Sequence, residues 1–251
     1  MPAPESRIAV VSGRYPASRF ESYINHRAYC ARHGYTYIYA NWPTGERNRY
    51  LNKIRYIQAY YRLFDYIFWI DDDAFFLNLD QKLESFLPSA SNFLSICASP
   101  DYKKLYTFVS SGQFAIRCDE TGRAFLDAIP TVDLEQVRRW WTEDLGFFSN
   151  GDQDAMVYLM KTDPRFAGFE RHPHTAFNSR MEDLVADRPV FILHFTGRAE
   201  IKQRNYARAQ SSLRRGPSLL DPHEAKLWNL AIEPRITRRL ANKVRSALLG
   251  R

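Results

Sequence analysis

At 251 residues, with 45% apolar and 25% charged side chains, the chain has the length of one large domain, and its composition excludes a disordered chain, a fibrous repeat and a second full catalytic domain. The formal charge of +7 is unevenly placed: from Ile201 to Arg251 twelve Lys and Arg face three acids, so the first 200 residues are slightly acidic. Basicity therefore belongs to the last fifth of the chain and does not read as a nucleic-acid footprint.

Cys30, Cys97 and Cys118 are widely spaced with no Cys-x-x-Cys, which argues against a disulfide framework or a structural zinc site. The opening Met1 to Arg7 has no basic stretch running into an apolar one, and the strongest apolar run, Tyr66 to Ile70, is too short to span a bilayer. The expectation is a cytoplasmic protein.

In chain order, Arg7 to Ser12 reads as a buried first strand that breaks at Gly13. Phe20, Tyr23, Ile24 and Ala28 recur at helical spacing over Arg19 to His33, and Gly34 stands where a helix C-cap glycine would. Tyr35 to Ala40 is a second strand, Leu51 to Leu63 a second helix, and Tyr66 to Ile70 a third strand. Beyond them come strands over Asn92 to Cys97 and Gln113 to Arg117, a helix near Asp119 to Ala128, and a Trp-rich stretch at Trp140 and Trp141. A helix begins around Asp152, and an apolar strand runs from Val190 to Leu193. Alternating strands and helices with short connections predict an α/β fold, a mostly parallel, Rossmann-like sheet flanked by helices.

Three clusters stand at the ends of predicted elements. In Trp69-Ile-Asp-Asp-Asp-Ala74 the carboxylates follow an apolar strand, at the sheet edge where open α/β folds bind ligands. Extended backbone would point Asp71 and Asp73 to one side and Asp72 to the other, and a hard divalent cation would relieve the repulsion; the alternative is a solvated acidic loop. Asn150-Gly-Asp-Gln-Asp154 opens a helix, where it serves either an anionic or hydroxyl-rich ligand or merely as a cap, through Asn150 or Asp152. His194 ends the last apolar strand, as a metal ligand or as a structural histidine.

Taken together, Lys53 in a helix, Trp69-Ile-Asp-Asp-Asp-Ala-Phe-Phe76, Ser110-Ser-Gly-Gln-Phe-Ala-Ile-Arg117, Gly151-Asp-Gln-Asp154 and His194-Phe-Thr-Gly197 occur in an order that resembles the galactosyl/mannosyl/xylosyltransferase family. That family is typified by yeast Golgi mannosyltransferases and plant xyloglucan xylosyltransferases. Asn25-His-Arg-Ala-Tyr-Cys-Ala-Arg-His-Gly-Tyr35 resembles the family's helix before its second strand, and the likeness spans roughly residues 7 to 200.

The resemblance implies a GT-A-like catalytic domain over residues 1–200, followed by a basic helical extension over 201–251. It implies a retaining transferase that takes a nucleoside-diphosphate sugar, a UDP-sugar in preference to a GDP-sugar, with Mn2+ or Mg2+. By the same likeness Asp71, Asp73 and His194 hold the metal, with Asp71 facing either the metal or the ribose. Val10, Ser12 and Gly13 line the nucleoside, Ser111 and Gly112 border the donor sugar, and Asp152 and Gln153 lie beside the anomeric carbon. A cation, Lys202 or Arg198, steadies the phosphate. The better-known members carry a membrane anchor and a lumenal stem, which this sequence does not show.

In the extension, Ile236, Leu240, Val244 and Leu248 form one helical stripe flanked by Arg238, Arg239, Lys243 and Arg245. This pattern suits an anionic membrane surface beside a lipid-linked acceptor, and equally a contact with the catalytic domain or with a second copy. The expected partners are a nucleotide-sugar donor and a glycan or lipid-linked acceptor, with no nucleic acid, at the inner face of the membrane if the stripe binds it. Rival readings are a metal-dependent phosphohydrolase or nucleotidyltransferase using the same carboxylates, and a non-catalytic sugar- or nucleic-acid-binding protein.

Overall fold

A computed structural model describes residues 6–101 and 106–228. The main sheet has six strands: β1 (Ile8–Gly13), β2 (Thr36–Ala40), β3 (Tyr66–Ile70), β5 (Leu94–Cys97), β6 (Ser110–Arg117) and β7 (Phe169–His172). Their spatial order is β2-β1-β3-β6-β5-β7. Helices α1 (Ser22–His33) and α2 (Asn52–Tyr60) connect β1, β2 and β3, which pair in parallel as such crossovers require. Strand β6 alone runs against its neighbours. No helix lies between β5 and β6 among the described residues, and without a helical crossover the chain returns beside β5 in the antiparallel sense.

Two cores flank this sheet because its strands alternate sides. Ala9, Val11, Ile67, Trp69 and Phe114 pack against Ile54 and Ile57 of α2, Phe125 of α3 (Glu120–Ala128) and Met156 of α5 (Asp152–Thr162). Helix α4 (Leu134–Trp140) lies on the same side, so the Trp-rich stretch is a helix end with Trp140 and Trp141 packed against the core. On the opposite face Ile8, Val10, Phe68 and Ile70 meet Ala28 and Tyr29 of α1.

The apolar run at 190–193 does not join this sheet. Strand β8 (Ile192–His194) pairs antiparallel with a strand that the sequence reading missed, β4 (Ala74–Phe76). Three residues are too few to show a periodicity, and the preceding aspartates mask them as a loop. Strand β7 was missed for another reason: Phe-Glu-Arg-His is a polar edge strand with no apolar alternation. Helix α1 starts at Ser22, later than Arg19, while Gly34 does take the left-handed C-cap conformation, with φ 74°.

Residues 199–228 pack on this same body. On α7 (Ala199–Leu213), Tyr206 and Ala209 share a core with Phe20, Phe75, Leu193 and Phe195. Near α8 (Pro222–Leu227), Glu224 accepts from Arg32 at 2.6 Å. The short helix α6 (Met181–Val185) precedes β8. The stripe from Ile236 to Leu248 lies outside the described residues. No helix of the described residues is long and apolar enough to cross a membrane.

Helix α1 presents buried polar side chains to β4. Ser22 Oγ donates to Asp72 O at 2.7 Å, Asn25 exchanges two hydrogen bonds with the Phe76 backbone, and His26 Nε2 donates to Ala74 O at 2.8 Å. These bonds fix the chain on both sides of Asp73. Burial pushes the His26 imidazole down to about 4, against the one backbone bond that favours its charge, and Tyr37 is the titratable group facing its other nitrogen. A histidine neutral in the fold stabilises fully above its ordinary value of 6.5 and loses that contribution as pH falls towards 4. We expect roughly 3 kcal/mol of stability to disappear over that window through His26. Urea unfolding at pH 7 and pH 4.5 should show a flatter acid limb in His26→Gln than in the parent, and identical limbs would contradict the assignment.

Candidate functional site

Asp71, Asp73 and His194 converge at the end of β3. One ligand atom from each lies within 4.8 Å of the others. His194 Nε2 is 3.1 Å from Asp73 Oδ1 and 3.8 Å from Asp71 Oδ2. Pairing of β4 with β8 produces this meeting, because Ala74 stands opposite His194 in register. The segment carrying Asp72 and Asp73 is a turn, so the alternation argument for extended backbone does not apply. Asp72 nonetheless lies apart from the pair. Burial, and then the charge of Asp73, push its carboxyl up to about 7, while Ser18 and Arg14 draw it down.

Each of the three groups is held in place. Trp69 Nε1 donates to Asp71 Oδ1 at 2.8 Å, and Lys202 on α7 donates to Asp73 Oδ2. Burial raises the Asp73 carboxyl, but His194 and Lys202 outweigh it and hold the group well below the usual carboxylate range. His194 Nδ1 is 3.0 Å from Asn178 Oδ1, so the ring is held from that side and Nε2 faces the two aspartates. Arg180 donates to the same Asn178, through both its backbone and side-chain oxygens, and stands 3.4 Å from the imidazole.

The donor set fits a divalent cation. Two carboxylates and a neutral imidazole are the mixed oxygen and nitrogen ligands that such ions take. Asp73 Oδ1 is buried without a hydrogen-bond partner although it faces His194. The space is kept free by Gly112, where a Cβ would lie 2.4 Å from His194 Cε1 and 3.3 Å from Asp71 Oδ2. Because Asn178 holds the His194 ring through Nδ1, Asn178→Ala should weaken Mn2+ binding by about 10- to 100-fold with the fold preserved. Calorimetric Mn2+ titration checks this, and unchanged affinity would contradict the role of Asn178.

A second group adjoins the first through Lys53 of α2. Its Nζ donates to Ser111 O at 2.9 Å and lies 3.3 Å from Asp71 Oδ1 and 3.2 Å from Asp152 Oδ2. Burial opposes the ammonium charge, but Asp152 and Asp71 outweigh it and raise the Lys53 pKa. Asp152 is 2% exposed. Burial raises its carboxyl despite Lys53 and Ser111. Gln153 Oε1 accepts from Ser111 N at 3.2 Å. Neither Asn150 nor Asp152 supplies the side-chain cap of α5. Asp154 does, its Oδ2 accepting from Gly151 N at 3.2 Å and from Ser149 Oγ at 3.0 Å, which leaves Asp152 for Lys53.

A cavity of about 640 Å³ adjoins the two groups, lined in part by Gly13, Lys53, Trp69, Asp71, Asp72, Asp73 and Lys202, while His194, Ser111, Gly112 and Gln153 are not in its lining. Asp152 lies behind Lys53 and outside this lining. Val10 and Ser12 do not reach the cavity. Val10 is packed in the core and Ser12 is fully buried, so of the three β1 positions only Gly13 reaches it. Arg198 is not in the lining either. The sequence reading missed Trp69 as a holder of Asp71, Asn178, and the lining residues Arg14, Tyr15, Arg47, Arg49 and Tyr50. The last three follow Pro43 and Gly45 and resemble an ordinary solvated loop. Asn178 carries no local signal, being 16 residues from its partner.

Comparison with known proteins adds an independent finding. Residues 15–99 match the model of the galactosyl transferase GMA12/MNN10 family. No curated protein matches the chain in sequence. Among solved structures, the chain is similar to a glycosyltransferase involved in the glycosylation of the major capsid of PBCV-1, at a TM-score of 0.59 and 16% identity, covering 79% of this chain and 98% of that one. It is also similar to the apo-form glycosyltransferase GlyE of Streptococcus pneumoniae TIGR4, at a TM-score of 0.51 and 13% identity, covering 89% of this chain and 63% of that one. At such identities the structures establish the fold. The matched segment contains Lys53 and all three aspartates of the β3 end. The chain therefore has the fold of GT-A glycosyltransferases, and its residues 15–99 carry the likeness to the galactosyl transferase family.

Proposed function

We propose that this glycosyltransferase moves a sugar from a nucleoside diphosphate to a hydroxyl of a glycan or glycolipid, with retention of configuration and with a divalent cation held by Asp71, Asp73 and His194. The observation that carries the reading is the convergence of these three groups on one point, with His194 Nε2 turned towards both carboxylates. Manganese is favoured over magnesium because one ligand is an imidazole. The preference for a UDP-sugar rests on the family likeness alone.

When bound there, the cation supplies charge stabilisation for the departing diphosphate. Lys202, beside Asp73, adds a second positive charge at that end. Lys53 and Asp152 fix the orientation of Asp71 and of the β6 edge at Ser111, and Gln153 braces the same edge. The bond from the anomeric carbon to the phosphate oxygen breaks, and the acceptor oxygen bonds to that carbon from the same face. The acceptor proton passes to the departing phosphate oxygen. Asp152, 2% exposed and paired with Lys53, suits a positioning role better than that of a nucleophile.

A panel of UDP- and GDP-sugars incubated with the chain and Mn2+ tests this reading. Metal-stimulated release of nucleoside diphosphate from one sugar nucleotide, with a retained product configuration by NMR, is expected. Release of inorganic phosphate or nucleotide exchange without sugar transfer would contradict it.

A further inference from the structure

The cavity walls carry more positive charge than the proposed donor and metal use. Five cationic side chains line the cavity, Arg14, Arg47, Arg49, Lys53 and Lys202, against Asp71, Asp72 and Asp73, with Asp152 one layer behind. A divalent cation and the two phosphate charges of a nucleoside-diphosphate sugar cancel one another, so the cationic surplus persists in the loaded site. It can also be located. Lys53 is paired with Asp71 and Asp152, Lys202 with Asp73, and Arg14 faces the charge of Asp72. The side chains of Arg47 and Arg49 make no hydrogen bond or ion pair with any described residue, although both border the cavity and both are exposed.

The segment that holds them lies beside the start of α5. Asn48 Nδ2 donates to Asn150 O at 3.3 Å, and the Tyr50 ring packs so closely over Gly151 that a Cβ there would lie 3.0 Å from it. Tyr50 itself is 58% exposed and borders the cavity. Two free guanidinium groups and an accessible aromatic face therefore stand beside Asn150 and Gly151, at the start of α5. Guanidinium groups recognise carboxylate and phosphate with paired hydrogen bonds, and an aromatic face stacks on a sugar ring.

Resting on the function proposed above, we propose that the acceptor is anionic, a sugar bearing a carboxylate or phosphate group, and that Arg47 and Arg49 read its charge while Tyr50 stacks on its ring. Uronic-acid glycans and phosphate-bearing acceptors share this chemistry, and the test separates them.

The full chain, loaded with Mn2+ and the sugar nucleotide selected by the panel above, is titrated with p-nitrophenyl β-D-glucuronide, p-nitrophenyl phosphate and neutral p-nitrophenyl β-D-glucoside. At least one acidic probe should bind about tenfold more tightly than the glucoside, a preference of the size that a charged pair contributes. The glucuronide alone assigns a uronic acid, and the aryl phosphate alone a phosphate-bearing acceptor. In the Arg47→Gln/Arg49→Gln variant the preference should fall to near unity, while Arg62→Gln, an exposed arginine outside this cavity, keeps it. Equal affinity for the neutral probe, or no binding of any acidic probe, overturns the proposal. So does a preference that survives the double variant, or a loss that falls on the sugar nucleotide. Failure of the underlying function appears separately, because no sugar nucleotide is then selected by the panel.

Discussion

Replacing Lys53 by Met is expected to destabilise the chain by about 3–5 kcal/mol, the cost of stranding one member of a buried ion pair. Lys53 is 8% exposed and Asp152 2%, and no other cation pairs with Asp152 among the described residues. The methionine keeps much of the hydrocarbon volume but loses the charge and the hydrogen bonds to Ser111, so the penalty is mainly polar. For a chain of this size the melting temperature should fall by roughly 10 °C. Lys53→Met/Asp152→Asn should recover most of the loss, since the second change removes the stranded carboxylate. Denaturant unfolding of the two variants checks both statements. A single variant as stable as the parent, or a double variant no better than the single, would contradict the pairing.

Asp73→Asn should lower metal-stimulated sugar transfer by about 10³-fold, equivalent to about 4 kcal/mol in the transition state. Asp73 lies in the turn after β3, where its backbone oxygen accepts from Phe195 N at 3.0 Å, so an isosteric amide can keep the local fold. His194→Ala should cost a similar factor. If both act through the same ion, the double variant should lose little more than either single. Steady-state rates at saturating Mn2+, with circular dichroism as the check on folding, measure this. Losses that multiply would mean that the two residues act separately.

The central aspartates and His194 were visible because each stands at a boundary between an apolar run and a polar group, and the helix bearing Lys53 showed in the spacing of Leu51, Ile54 and Ile57. The α/β class was legible in the same way, from the alternation of β1, α1, β2, α2 and β3. What stayed hidden has a physical reason in each instance. The β4–β8 pair that brings His194 to Asp73 is three residues long on each side, below the length at which a periodicity can be read. The bonds from Ser22, Asn25 and His26 to the backbone around β4 join positions about fifty apart in sequence. Those residues look like ordinary polar helix positions until the sheet brings them opposite β4. The cap of α5 went to Asp154 because its carboxylate reaches Gly151 N, a choice among three neighbouring polar residues that only geometry makes. The basic lining at Arg47 and Arg49 was obscured by the larger excess beyond Ile201, which drew the whole positive charge of the chain to its end.

Paramagnetic resonance of Mn2+ titrated into the full chain bears most directly on the claim that Asp71, Asp73 and His194 form one metal site. The account predicts one tightly bound Mn2+ per chain, with nitrogen coupling from an imidazole, and loss of that ion in both Asp73→Asn and His194→Ala. Mn2+ bound with unchanged stoichiometry and affinity in either variant would contradict it.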